Sequence, residues 1–278
     1  MGGVWDVRNC TADELPGLAQ NLRRRIIAVV ERCGGHLASN LGVVELTIAL
    51  HRVFDFPHDR LVWDVSHQCY AHKLLTGRND ERFCGIRRAG GYSGYGDARE
   101  SPYDLFTVGH GGTALSSALG LAVARDRRKD DEHVVALLGD GSLPCGLSQE
   151  ALQQVVLRTG RLIIILNDNG YAIDSSLGAW SNELIRAKES NVFSDFYGLI
   201  YQGKVDGHRF DELLPALEWA KKCDRPVLIH AVTQKGRGHR AAERDPIRFH
   251  SIAPSCHDLS PTKTHSYGDM LGQQLCKL

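Results

Sequence analysis

Two short motifs carry residue types suited to metal and phosphate chemistry. Gly139-Asp140-Gly141 follows the apolar run VVALL (134–138), and Asn167-Asp168-Asn169 closes the run LIIIL (162–166). Between them, LSQEALQQVVL (147–157) has helical periodicity. This is one strand–helix–strand excursion. Adjacent parallel strands would bring Asp140 and Asn169 to the same sheet edge, where open α/β sheets bind ligands. Mg²⁺ takes hard oxygen ligands and keeps phosphate oxygens among them. A carboxylate from Asp140, an amide oxygen from Asn169 and the backbone carbonyl of Tyr171 leave room for diphosphate oxygens and a water. Gly139 and Gly141 let backbone amides approach a diphosphate without a Cβ clash. Gly-Asp-Gly alone is most often a turn; the strand before it and the Asn-Asp-Asn after it make the pattern specific.

The elements that must position these residues can be read along the chain. Helical patterns cover residues 12–33, stopped by Gly34-Gly35, then 40–54, about 67–75, 112–125 and 209–222. Further strands are expected at 61–65 and 226–232. Apolar runs alternating with helices imply an α/β fold, a mostly parallel sheet covered by helices on both faces. Residues 84–102, CGIRRAGGYSGYGDARESP, form a loop long enough to suggest a functional role.

Composition narrows the function classes. The 278 residues include 33 basic and 33 acidic side chains, so the net charge is zero, which argues against bulk binding to nucleic acid or acidic membranes. No stretch approaches the apolar length of a membrane-spanning helix, and residues 1–17 lack the pattern of a signal peptide. The eight cysteines are scattered without a CxxC pair, which reads as reduced thiols in a cytoplasmic protein rather than a zinc site.

Gly-Asp-Gly with Asn-Asp-Asn in this context is the signature of thiamine diphosphate enzymes. GGHLASNLGVVELTIALHRVF, LVWDVSHQCYAHKLLTGR, FTVGHGGTALSSALGLAVA, VDGH and KGRGH…RDPIRFH together resemble 1-deoxy-D-xylulose-5-phosphate synthases, which are transketolase-like. The match runs from about residue 20 to residue 254. It covers that family's diphosphate-binding N-terminal domain, so residues 1–254 are read as that domain. Residues 255–278 are read as a polar linker and the opening of a pyrimidine-binding domain.

The resemblance implies roles residue by residue. Asp140, Asn169 and Tyr171 would hold Mg²⁺. His67, Gly109, His110, Gly111, Gly139, Gly141, Ser142, Asn169 and His239 would contact thiamine diphosphate. His36 and His250 would serve the substrate, with His36 assisting proton transfer around its carbonyl. His133, His208, His230, His257 and His265 are read as surface or structural, and His51 and His72 as packing or capping residues. Three departures stand out. His239 occupies a position where the family has tyrosine. Asn182 to Val205 is a short bridge where the family has a long insertion. The glutamate that activates the cofactor belongs to the pyrimidine-binding domain.

The reading that follows is the diphosphate-binding subunit of a split carboligase. A partner subunit would carry the pyrimidine-binding and C-terminal domains in an α2β2 assembly. A ketose or 2-oxo acid would donate a two-carbon unit to an aldehyde. The helices at 112–125 and 147–157 would face the partner. A non-catalytic half-enzyme acting as a scaffold is the alternative. The α subunit of a 2-oxo acid dehydrogenase shares the Gly-Asp-Gly…Asn logic but not the flanking motifs.

Overall fold

Short apolar runs that alternate with amphipathic helices can bury both faces only as the middle layer of a sandwich. The computed structural model describes residues 4–176, 178–186, 192–255 and 267–277. Its strands are β1 (Arg60–Trp63), β2 (Val134–Gly139), β3 (Ile163–Asp168), β4 (Ile200–Asp206) and β5 (Val227–Val232). The sheet order is β1-β2-β3-β5-β4 and every neighbouring pair is parallel. The helices are α1 (Leu15–Cys33), α2 (Ala38–Leu41), α3 (Val44–Val53), α4 (Tyr70–Leu75), α5 (Glu81–Cys84), α6 (Ala114–Arg128), α7 (Gly146–Arg158), α8 (Ala179–Arg186), α9 (Val192–Asp195), α10 (Phe210–Lys222), α11 (Arg240–Arg244) and α12 (Tyr267–Leu275).

Strand alternation divides the core in two. Val135, Leu137, Ile163, Ile165, Val227 and Ile229 face one layer with α1, α3, α4 and α10. Ala136, Leu138, Ile164, Leu166 and Leu228 face the other, with α6 and α7. The fold is therefore the expected α/β sandwich, and its β2-to-β3 and β3-to-β5 neighbours place the motif loops side by side.

Three local readings change. The helix expected over 40–54 is two helices, broken at Gly42 and Val43. The main chain there passes the Gln234–Lys235 turn so closely that a Cβ on Gly42 would lie 3.1 Å from the Gln234 carbonyl. The Ala38 carbonyl also accepts from the Gly236 N–H at 2.9 Å. The helix expected from His67 starts only at Tyr70, because Val65 and Ser66 take left-handed φ values of 55° and 65°. Strand β4 carries Gln202, Gly203 and Lys204 and has a register shift between Gln202 and Val205. It is an edge strand without an apolar run, which hides it from a periodicity search.

Five histidines have structural partners. His230 is fully buried in β5, hydrogen-bonded to Asp168 at 2.7 Å and Tyr201 at 2.8 Å. His208 pairs with Glu45, and His133 with Asp59. His51 and the buried His72 pair at 2.9 Å, and His72 leads on to Asp104 and Arg78. Cysteines 10, 33, 69, 84, 145, 223 and 276 are free. His257, His265 and linker residues 256–266 lie outside the described residues. No helix among the described residues is long and apolar enough to cross a membrane.

Candidate active site

The carboxyl ends of β2 and β3 open into a cavity of about 320 Å³. Asp140 begins the turn after β2, where its N–H donates to the Asn167 carbonyl at 3.1 Å. Its side chain is packed in rather than loose at the loop edge: Asp140 is only 4% exposed. Oδ2 accepts from Ser176 Oγ at 2.8 Å, while Oδ1 is buried with no partner. Burial pushes this carboxyl up to about 6, and nearby Asp168 adds to the shift. A buried oxygen with unused lone pairs is costly unless something positive reaches it.

Asn169 and Tyr171 line the same cavity. Asn169 Oδ1 accepts from the Tyr171 N–H at 3.0 Å, which fixes the turn. A Cβ on Gly139 would enter open space. A Cβ on Gly141 would sit 2.6 Å from the Ala172 Cβ, so this glycine permits close packing of the two motif loops. Ser142 lines the cavity, and Gly111 borders it: a Cβ there would lie 3.6 Å from Ser142 Oγ.

His36, His67 and His250 converge on the other side. The His36 ring is 5.1 Å from His67 and 5.4 Å from His250. Gly34 and Gly35, at φ 77° and 139°, turn the chain so that His36 faces inward. Burial lowers His36 to about 4, with Arg87, His250 and Lys235 contributing. Burial likewise lowers His67 to about 3 and His250 to about 4. All three are neutral imidazoles at pH 7. Nδ1 of His36 and of His67 is buried without a partner. Such rings can bind a polar group, or take and return a proton, without first losing one.

Several residues escaped the sequence reading. The Asn40 amide donates to the carbonyls of His36 at 2.7 Å and His67 at 2.8 Å, tying the two histidine turns together. Ser39 Oγ lies 3.3 Å from His250 Nδ1. Lys235 is 4% exposed, donates to the Ala172 carbonyl at 2.6 Å and is pushed down to about 8 by burial. Tyr95 stands 5.6 Å from His36.

Two expected contacts are not brought to the cavity. His110 is exposed, although its neighbour Gly109 lines the wall. His239 does not line it either. Its Nδ1 accepts from the Ala242 N–H at 3.1 Å and caps α11, so the ring is used by a helix end.

Both the sequence and the fold have known counterparts. A family model described as 1-deoxy-D-xylulose-5-phosphate synthase matches residues 2–197 and 187–233. A 1-deoxy-D-xylulose-5-phosphate synthase from Methylacidiphilum infernorum is 43% identical over 288 residues, covering 90% of this chain and 46% of that protein. One from Clostridium kluyveri is 39% identical over 319 residues, covering 99% and 51%. The chain thus spans about half the length of these relatives. Both alignments are longer than the 278 residues of this chain, and the two segments matched by the family model overlap at 187–197. The relatives therefore carry extra residues inside the matched span, in keeping with the short bridge at 182–205. Among solved structures, a transketolase from Campylobacter jejuni superposes with a TM-score of 0.75 at 23% identity, covering 88% of this chain and 41% of that one. The Leishmania mexicana transketolase gives 0.67 at 22% identity, covering 82% and 37%. The structural matches show the fold; the family match and the 39–43% identity show the lineage. The chain belongs to the 1-deoxy-D-xylulose-5-phosphate synthase family, of which it represents the N-terminal domain.

Proposed function

We propose that this domain binds the diphosphate and metal end of thiamine diphosphate and forms one half of a carboligase active site. The observation that carries the reading is the buried, unpartnered Asp140 Oδ1 beside Asn169 and Tyr171. Mg²⁺ fits these groups: one carboxylate, one amide oxygen and the Tyr171 carbonyl are hard ligands, and an anionic diphosphate would supply further oxygens. Among the described residues no three His, Cys, Asp or Glu side chains cluster as metal ligands, so the metal reading rests on this mixed set. Gly139, Gly141 and Ser142 would border the diphosphate.

When bound, thiamine diphosphate supplies the carbon nucleophile that adds to a carbonyl. The chain's own residues then have separate tasks. Asp140 and Asn169 anchor the charged end. Tyr95 and Gly109 wall the cavity. His36, held by Asn40, is placed to take a proton from a substrate hydroxyl and to return it to a carbonyl oxygen. His67 and His250 hold its orientation and keep its surroundings dry enough for it to stay neutral.

The donor is assigned as a 2-oxo acid or ketose and the acceptor as an aldehyde, on the strength of the family alone. The aminopyrimidine half is assigned to a pyrimidine-binding domain, and a partner subunit in an α2β2 assembly is the form we put forward for test. Leu147 and Leu157 on α7, 48% and 75% exposed, support an apolar contact there. Free thiols support a cytoplasmic setting. The test is calorimetric titration of thiamine diphosphate with Mg²⁺, followed by a turnover assay with pyruvate and an aldehyde, with and without a separately produced pyrimidine-binding domain. Weak, Mg²⁺-dependent binding that tightens with the added domain, together with the onset of turnover, is expected. Absence of cofactor binding in both settings refutes the proposal. Full turnover by the chain alone refutes the partner requirement.

A further inference from the structure

Ser66 stands between two residues that line the cavity, Val65 and His67, but its own side chain points elsewhere. The turn it occupies follows β1. Asp64, the residue after that strand, accepts from the N–H groups of Gly112 and Ala114 at 3.0 Å and so fixes the start of α6. The chain then reverses through the left-handed φ values of Val65 and Ser66, a region that disfavours residues with a Cβ. A glycine would take this conformation at less cost, so backbone geometry gives no reason for serine.

The hydroxyl does. Ser66 is 1% exposed. Its Oγ donates to the Val108 carbonyl at 2.8 Å and accepts from the Gly96 N–H at 2.8 Å. These contacts lie at the two ends of the segment 96–108. The residue before the first, Tyr95, and the residue after the second, Gly109, both line the cavity. The middle of the segment is anchored separately. Asp104 accepts from the Asp97 N–H at 2.9 Å and from both terminal nitrogens of Arg78, at 2.6 and 2.8 Å. Arg78 and Asp104 therefore hold the body of the loop, and one buried hydroxyl gathers its ends against the site.

We propose that Ser66 is a positioning residue: by bridging Gly96 and Val108, its hydroxyl sets Tyr95 and Gly109 as the wall facing the cofactor beyond its diphosphate. This inference rests on the thiamine diphosphate reading of the cavity. The diphosphate end, at Asp140 to Ser142, is built on the β2 and β3 loops and does not depend on the bridge.

The test uses the 278-residue chain with Ser66→Gly and Ser66→Ala. Glycine accepts the backbone angle, so that variant removes the hydroxyl without adding strain. Residue-resolved amide exchange is measured at Gly96 and in β2 and β3. Affinities for Mg²⁺–pyrophosphate and Mg²⁺–thiamine diphosphate are measured by calorimetry. Gly96 exchange should quicken at least about tenfold in both variants while β2 and β3 stay protected. Thiamine diphosphate affinity should fall at least about fivefold, with pyrophosphate affinity held within about twofold. Unchanged Gly96 exchange overturns the proposal. So does an equal loss of both ligands with faster exchange throughout the sheet, which would mark Ser66 as a general fold residue. If the wild-type chain takes pyrophosphate but no thiamine diphosphate, the cofactor reading falls, and Gly96 exchange still decides the bridge.

Discussion

Ser176 Oγ donates to Asp140 Oδ2 at 2.8 Å, and the other oxygen of the same carboxylate is buried with nothing to accept from. One oxygen is oriented by the protein and its twin is left for a ligand. Asp140→Asn keeps an acceptor for Ser176 but removes the negative charge. Mg²⁺-dependent thiamine diphosphate affinity is expected to fall roughly 100-fold or more, with the melting temperature of the unliganded chain within about 3 °C of wild type. Calorimetry and a thermal melt check both halves of the statement.

His36 is expected to matter for turnover more than for binding. Its ring is neutral, buried and held by Asn40 through the His36 carbonyl. In the assembled enzyme, His36→Ala should lower kcat about 10²- to 10⁴-fold, the usual range for a proton-transfer group, and change thiamine diphosphate affinity less than about threefold. Steady-state kinetics beside a cofactor titration separate the two effects. A wild-type kcat would remove His36 from the proposed role.

The three depressed histidines give the chain an acid-sensitive fold. An unfolded histidine titrates near 6.5, whereas burial holds His67 near 3 and His36 and His250 near 4. Above pH 6.5 neither state carries these protons and the groups are silent. As pH falls from 6.5 toward 4, the unfolded chain takes protons that the folded chain refuses, so stability drops. His67→Gln abolishes one of these sites. Between pH 7.5 and pH 5.5 this variant should lose about 1 kcal/mol less stability than wild type, read from urea unfolding at the two pH values.

Asp104 sits at the centre of a buried charge network. Burial alone would raise its carboxyl, but hydrogen bonds from His72 and Arg78 outweigh that and hold it far below the usual carboxylate range. Asp104→Ala would leave Arg78 buried without this partner and free the loop that carries Tyr95. The expected loss is about 3–5 kcal/mol, the scale for breaking one side of a buried ion pair. Urea unfolding at pH 7.5 measures it, and a loss below about 1 kcal/mol would show the network to be dispensable.

The order in which the fold can be read from the residues has physical causes. Runs such as VVALL and LIIIL signal buried strands because both of their faces are covered, and Asp140 and Asn169 follow from the two strand ends. Strand β4 sends no such signal, since Gln202, Gly203 and Lys204 belong to a bulged edge. Asn40, Lys235 and Ser66 each act through at least one partner 27 to 63 positions away, and no local pattern marks them. His110 and His36 share a glycine-flanked setting, yet only His36 is turned inward, by the positive φ values of Gly34 and Gly35. His239 follows a glycine as well, but its ring is taken by the end of α11. Local composition thus marks where the chain turns, while tertiary contacts decide which side chain enters the cavity.

In the proposed site a divalent cation joins Asp140 and Asn169 to the diphosphate of thiamine diphosphate. Anomalous diffraction from crystals of the chain grown with thiamine diphosphate and Mn²⁺ in place of Mg²⁺ tests it most directly. One strong peak within coordination distance of both Asp140 Oδ1 and Asn169 Oδ1 is expected, with diphosphate density beside Gly141 and Ser142. A cofactor seated in the cavity with no peak at Asp140, or a peak elsewhere in the molecule, would contradict it.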